Sequence, residues 1–236
     1  MAAPFFEFRK NMKVSVKICG ITRREDAIEA ERLGAFAVGF VFYPASKRFI
    51  EPYQAGYISR SLGPSIERVG VFVNEEPEVV LDTVRKANLT IVQLHGSENP
   101  LYLDALKEIR IIKAFRVDRD FNASVLLDYR SDYYLLDTAL EGSHGGTGKT
   151  FDWSFVPSQP KNGKIILAGG LHAGNVENAL EITHPWGIDV STGVEVFPGI
   201  KDTEKMQNFF RAVDRYEHKR AATESNLNRC KEQPVN

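Results

Sequence analysis

Short runs of valine, isoleucine, leucine and phenylalanine recur along the chain, each followed by a stretch in which apolar residues return every three or four positions. The runs are VSVKICG (14–20), AFAVGFVF (35–42), ERVGVFVN (67–74), TIVQLHG (90–96), RIIKAFRV (110–117), DYYLLDT (132–138), KIILAGG (164–170) and GIDVSTG (187–193). After the first run, Ala27, Ile28, Ala30 and Leu33 mark an apolar helix face, and Gly34 supplies a stop. Pro77 opens EPEVVLDTVRKAN at a first-turn position that does not need its missing N–H. Helical stretches are also read in EPYQAGYISRSLG, ENPLYLDALKEI, FNASVLLDYR, HAGNVENALEI and DTEKMQNFFRAVDRYEH, with a short DWSFV turn after the sixth strand.

Nearly continuous apolar strands separated by helices predict a parallel sheet covered on both faces. Eight strand-then-helix units in a chain of 236 residues suit a closed (β/α)8 barrel of the TIM type, a single α/β domain. A doubly wound open sheet is the competitor, but it usually carries fewer units, and no GxGxxG follows the first strand. The boundaries read as an N-terminal extension (1–13), the barrel (14–216) and a polar, mobile tail (217–236).

Charge and composition narrow the partners. A formal net charge of -1 with 26% charged residues shows no nucleic-acid footprint, so the expected partner is a small molecule. Two cysteines, Cys19 and Cys230, are too few for a disulfide scaffold and too distant for a CxxC pair, which points to a reducing, cytoplasmic setting. The opening MAAPFFEFRK is too short for a signal h-region, and no run approaches a membrane span. The surface pattern leaves monomer and homodimer both open.

In a barrel of this kind, function belongs to the carboxyl ends of the strands and the loops beyond them. Here those ends turn polar: Lys17 and Cys19 on strand one, Gln93 and His95 on strand four, Asp137 on strand six, Asp189 and Ser191 on strand eight. Residues two apart on a strand share a face, so each pair projects together.

EGSHGGTGKTFDW (141–153) looks like a nucleotide-triphosphate loop, but the position five before Gly148 is Ser143, and Pro157 arrives too soon for the supporting helix. The stretch reads better as a flexible loop, with Gly146 and Gly148 able to fold over a ligand and present bare N–H groups. Gly169 and Gly170 after strand seven, with Ser191, Thr192 and Gly193 after strand eight, predict a phosphate cup; tight strand-to-helix turns are the plainer explanation. His144, His172, His184 and His218 lack metal-ligand spacing, so no metal or cofactor is expected.

VKICGIT, GFVFYPASKRFI, RVGVFVN, VQLHG, LLDT, GGTGKTFDW, LAGGLHAGNV and DVSTGVE, in that order over about residues 14–213, resemble the successive motifs of the phosphoribosylanthranilate isomerases of tryptophan biosynthesis. The resemblance implies a cofactor-free Amadori rearrangement of N-(5-phosphoribosyl)anthranilate to 1-(2-carboxyphenylamino)-1-deoxyribulose 5-phosphate. It implies Asp137 as the acid that protonates the furanose ring oxygen. A carboxyl holds a proton near neutrality only when burial or nearby negative charge raises its pKa, and the apolar YYLL before Asp137 favours burial. It implies Cys19 as the base that removes the C2 proton, as a thiolate that Lys17 on the same face is placed to favour. Arg48 would grip the anthranilate carboxylate in bidentate fashion, while Gln93 and His95 would line the pocket without transferring protons.

Two positions depart from the family pattern. Lys47 stands where proline is usual, which leaves the stiffness of the Arg48 loop open, and Thr192 replaces a serine while keeping a hydroxyl. Two other functions fit the same barrel: a Schiff-base lyase using Lys17 or Lys113, and a phosphate-ligand binder without chemistry.

Overall fold

The computed structural model describes residues 14–137, 153 and 163–231, with side chains through residue 223. The extension 1–13, the glycine-rich loop with Gly146 and Gly148, and most of the DWSFV turn lie outside the described residues.

Eight parallel strands close into a barrel in sequence order: β1 (Ser15–Cys19), β2 (Ala37–Val41), β3 (Glu67–Phe72), β4 (Ile91–Leu94), β5 (Arg110–Arg116), β6 (Tyr133–Asp137), β7 (Lys164–Ala168) and β8 (Gly187–Val190). β1 pairs with β8 to complete the ring, with Lys17 opposite Asp189. Five α-helices lie among the described connections: α1 (Arg24–Arg32), α2 (Pro52–Arg60), α3 (Pro77–Ala87), α4 (Val176–Thr183) and α5 (Thr203–Lys231). A short hairpin, β9 (Glu195–Phe197) with β10 (Ile200–Lys201), follows β8.

The strands are buried on both faces, which is why their sequences read as nearly unbroken apolar runs. Inside the ring, Ala37, Val69, Ile91, Ile112, Leu135 and Ile166 form a packed layer. Outside it, Ile18, Val38, Phe40, Val92 and Leu167 meet the apolar faces of the helices. Interior positions recur every second residue, so the next interior positions towards the carboxyl ends fall on Cys19, Gln93, Asp137 and Asp189. That alternation delivers the polar ends to one place.

Helix ends follow their local chemistry. Pro52 and Pro77 open α2 and α3, and Asn88 closes α3 in the left-handed conformation that asparagine tolerates. On α1, Ala27 and Ala30 are fully buried and Leu33, just past its end, is 1% exposed, but Ile28 is 36% exposed, so it does not belong to the apolar face assigned above. The apolar stripe of this helix is narrower than the sequence suggests.

Two connections expected as α-helices are instead 3-10 helices, Pro100–Leu106 and Ala123–Asp128. Both are too short to nucleate an α-helix readily, and Asn99 and Asn122 cap them by accepting from nearby backbone N–H groups. Leu103 and Leu106, three apart, are both buried, which matches the three-residue turn. The segment set apart as a tail from residue 217 begins as an uninterrupted continuation of α5, which runs to Lys231. Among the described side chains of α5, Met206, Phe209, Phe210, Ala212 and Val213 are fully buried.

Candidate active site

The polar strand ends converge on a cavity of about 300 Å³ at the carboxyl end of the barrel. Cys19, Arg48, Gln93, His95, Asp137 and Asp189 line it, together with Gly169, Gly170, Ser191, Thr192 and Gly193. Every expected site residue within the described chain is therefore brought to one place. Gly146 and Gly148 are not described.

Cys19 is buried at the end of β1. Gly39 sits opposite it on β2, where a Cβ would come within 2.8 Å of Sγ and 3.1 Å of the Lys17 ammonium, so the missing side chain makes room for both groups. Lys17 itself is 1% exposed and donates to Asp189 at 2.9 Å. Burial works against the Lys17 ammonium, but the Asp189 carboxylate and the Cys19 sulfur outweigh it and hold its pKa above the usual lysine value.

Burial outweighs the Lys17 charge, which pulls the Cys19 pKa down as expected. Burial pushes Cys19 up, the Lys17 charge pulls it down, Asp189 adds to the rise, and Lys201 pulls it down further; the balance lies above the ordinary thiol value. Burial thus favours the thiol form.

On the opposite wall, Asp137 ends β6 with 31% of its side chain exposed, so the preceding YYLL does not bury it fully. Its Oδ2 lies 3.6 Å from His95 Nε2, and His95 Nδ1 is 2.8 Å from the Gln93 amide nitrogen. Gln93 and His95 thus line the pocket in contact with each other, with His95 facing Asp137.

The cup has its own supports. Gly169 and Gly170 adopt φ of 99° and 60°, and the Asn175 amide donates to the Gly170 carbonyl at 3.0 Å. At Gly193 a Cβ would fall 2.0 Å from the Leu171 carbonyl oxygen, so only glycine lets the loops after β7 and β8 approach this closely.

Arg48 reaches the cavity from the loop after β2, but its fork is already engaged. Nε and Nη2 donate to Glu195 at 2.9 and 2.6 Å, and Nη2 also donates to Thr192 Oγ1 at 3.0 Å. Glu195 holds that edge of the guanidinium, and Nη1 takes no part in these bonds. The Arg48 loop is stiffened by turns centred on Ser46, whose hydroxyl accepts from Arg48 N and whose carbonyl accepts from Phe49 N; Lys47 is exposed.

The sequence reading missed Glu195 and Lys201, and gave Asp189 no partner. STGVE ends in Glu195, so a signal was present; Lys201 sits in a turn-like PGIKD with none. Lys113, the other lyase candidate, lies outside the cavity, 2% exposed and bonded to Glu98 at 2.7 Å. Among the described residues no group of three or more His, Cys, Asp or Glu is arranged to hold a metal, and no helix is long and apolar enough to cross a membrane.

A closed parallel barrel with its polar groups and a glycine-lined cup at the carboxyl ends of the strands defines a TIM-barrel protein with a cavity of small-molecule size at that end. The profile of a family described as N-(5'phosphoribosyl)anthranilate (PRA) isomerase matches residues 16–212. N-(5'-phosphoribosyl)anthranilate isomerase of Pelobacter propionicus is 46% identical over 198 residues, 84% of this chain and 94% of that protein. The crystal structure of phosphoribosyl anthranilate isomerase from Thermotoga maritima superposes with a TM-score of 0.79 at 46% identity, covering 85% of this chain and 98% of that one. Another, solved in complex with reduced 1-(o-carboxyphenylamino)-1-deoxyribulose 5-phosphate, gives 0.73 at 42% identity, with the same coverage. The chain belongs to the phosphoribosylanthranilate isomerase family.

Proposed function

We propose that this protein isomerises N-(5'-phosphoribosyl)anthranilate to 1-(2-carboxyphenylamino)-1-deoxyribulose 5-phosphate, a step of tryptophan biosynthesis, with Asp137 as acid and Cys19 as base. The observation that carries the reading is the placement of Cys19 and Asp137 on the walls of one cavity, beside a cup of Gly169, Gly170, Ser191, Thr192 and Gly193.

The phosphate lies in the cup, where backbone N–H groups and the Ser191 and Thr192 hydroxyls satisfy its oxygens. The Asp137 carboxyl protonates the furanose ring oxygen; the C1–O bond breaks as the anthranilate nitrogen donates its lone pair, giving a protonated Schiff base. The thiolate, the minor form of Cys19 that the Lys17 and Lys201 charges favour against burial, then takes the proton from C2, and the electrons left behind neutralise the iminium as an enolamine. A proton reaches C1 and the C2 hydroxyl proton leaves, giving the ketone. No net oxidation occurs, and Cys19 and Asp137 have exchanged protonation states, which solvent exchange resets.

Bound substrate changes the surroundings of Asp137. Its aromatic ring shields the exposed part of Asp137, and its carboxylate adds the negative charge that keeps a neighbouring carboxyl protonated. Arg48, held by Glu195, offers Nη1 to that carboxylate.

The purified protein is tested by following the anthranilate-ring fluorescence of the phosphoribosyl substrate and isolating the product. Conversion to the carboxyphenylamino ribulose phosphate is the expected result. Absence of product from folded protein would overturn the reading, and trapping of a protein adduct by borohydride would transfer it to a Schiff-base lyase.

A further inference from the structure

Lys201 is a buried cation that the proposed chemistry does not use. It sits on β10, 3% exposed, and its ammonium touches four oxygens. It donates to the Cys19 carbonyl at 2.5 Å and to Glu195 Oε1 at 2.7 Å, with Ser191 O and Oγ at 3.4 and 3.5 Å. Its own backbone N–H donates to Asp26 Oδ2 at 3.0 Å, which anchors the hairpin to α1.

Those contacts join three parts of the site. The Cys19 carbonyl belongs to the strand that carries the thiol, Ser191 belongs to the cup, and Glu195 holds the Arg48 fork. We propose that Lys201 is a positioning residue for the reaction: one buried ammonium that registers the Cys19 strand end, the cup and Arg48 against each other, and places a positive charge next to the residue that carries the thiol.

Burying an ammonium among carbonyls has a cost, and desolvation does lower the Lys201 pKa, against the pull of Glu195. A fold seeking only stability has cheaper options at such a position, since replacing a buried ion pair with apolar side chains is often neutral or stabilising. The placement makes sense where the charge is needed. Cys19 is faced by Lys17 on its own strand, Asp189 on β8, Lys201 on β10, Arg48 beyond β2, and Asp137 and His95 across the cavity. Lys17 is neutralised by direct pairing with Asp189, and Glu195 shares its charge between Lys201 and Arg48, so Lys201 and Arg48 together leave net positive charge near the sulfur.

This inference rests on Cys19 as the base, but its test reads the thiol without turnover, so the two ideas fail separately. In a Cys230→Ser background, Cys19 alkylation by iodoacetamide is followed against pH. Lys201→Met moves the alkylation midpoint up by about one pH unit, since a nearby cation is lost, while Lys201→Arg leaves it near wild type. Glu195→Gln moves it down, because the anion that offsets Lys201 is gone. If Lys201→Met does not fold, Lys201→Gln, which keeps a donor for the Cys19 carbonyl, carries the same measurement. Midpoints unmoved in folded charge-removing variants and in Glu195→Gln would overturn the role; shifts of opposite sign at 201 and 195 would establish it.

Discussion

Two buried lysine–glutamate pairs flank the barrel, alike in chemistry and different in what they touch. In each, Nζ lies 2.7 Å from the carboxylate, and all four residues are nearly inaccessible. Lys113 and Glu98 bind only the frame: Lys113 donates to the Leu94 and Gly96 carbonyls, and Glu98 accepts from Asn74 and Gly96 N–H. Lys201 and Glu195 bind the site, through the Cys19 carbonyl and the Arg48 fork. A buried ion pair is thus not informative by itself. Its role is read from the far ends of its hydrogen bonds.

Breaking the frame pair should give the largest loss of stability. Lys113→Met leaves Glu98 charged and buried, and is expected to cost about 3–5 kcal/mol in chemical denaturation, while the Cys19 alkylation midpoint stays in place. A shifted midpoint would erase the contrast between the two pairs.

Glu98→Gln should cost less, on the order of 1–3 kcal/mol at neutral pH, because an acceptor remains. It also tests the sign of the pH dependence. Burial pushes Glu98 up, but Lys113 and the Asn74 N–H more than offset this and hold its pKa below the ordinary 4.5. A depressed folded pKa means the stabilisation is present above about 4.5 and is lost as pH falls through the folded value. Denaturation curves between neutral pH and acid should therefore fall less steeply for Glu98→Gln than for wild type.

At the site pair, Arg48→Lys sharpens the contrast through binding. Lysine cannot hold Glu195 with two parallel bonds while offering a further donor, so KM for the phosphoribosyl substrate should rise about tenfold, roughly 1.4 kcal/mol, with a smaller change in kcat. An unchanged KM would remove Arg48 from substrate recognition. The smallest effect belongs far from both pairs: Ile28→Ser on the solvent side of α1 should change stability by less than about 0.5 kcal/mol, whereas a core position would cost several times more.

The barrel was legible because it is written locally. Strands buried on two faces give unbroken apolar runs such as VGVF and YYLL, and the pleat sends Cys19, Gln93, Asp137 and Asp189 inward without further information. The cup glycines were legible for the same reason. The long-range polar contacts were not. Lys17 with Asp189, Arg48 with Glu195, and Lys201 with the Cys19 carbonyl join residues 172, 147 and 182 positions apart, and only ring closure brings them together. The two 3-10 helices escaped because Leu103 and Leu106 satisfy both a three-residue and a 3.6-residue period over so short a run. The acidity of the Cys19 thiol escaped because burial, which no spacing reports, outweighs the Lys17 charge.

The central claim is that Cys19 and Asp137 are the base and acid of one cavity. It is tested most directly by measuring, for Cys19→Ser and Asp137→Asn, both turnover and affinity for the reduced product analogue. Loss of an acid or base from such a step is worth about 10²–10⁴ in rate, so each variant should lose turnover on that scale while binding the analogue nearly as wild type does. Folded variants that both turn over within a few-fold of wild type would contradict the account.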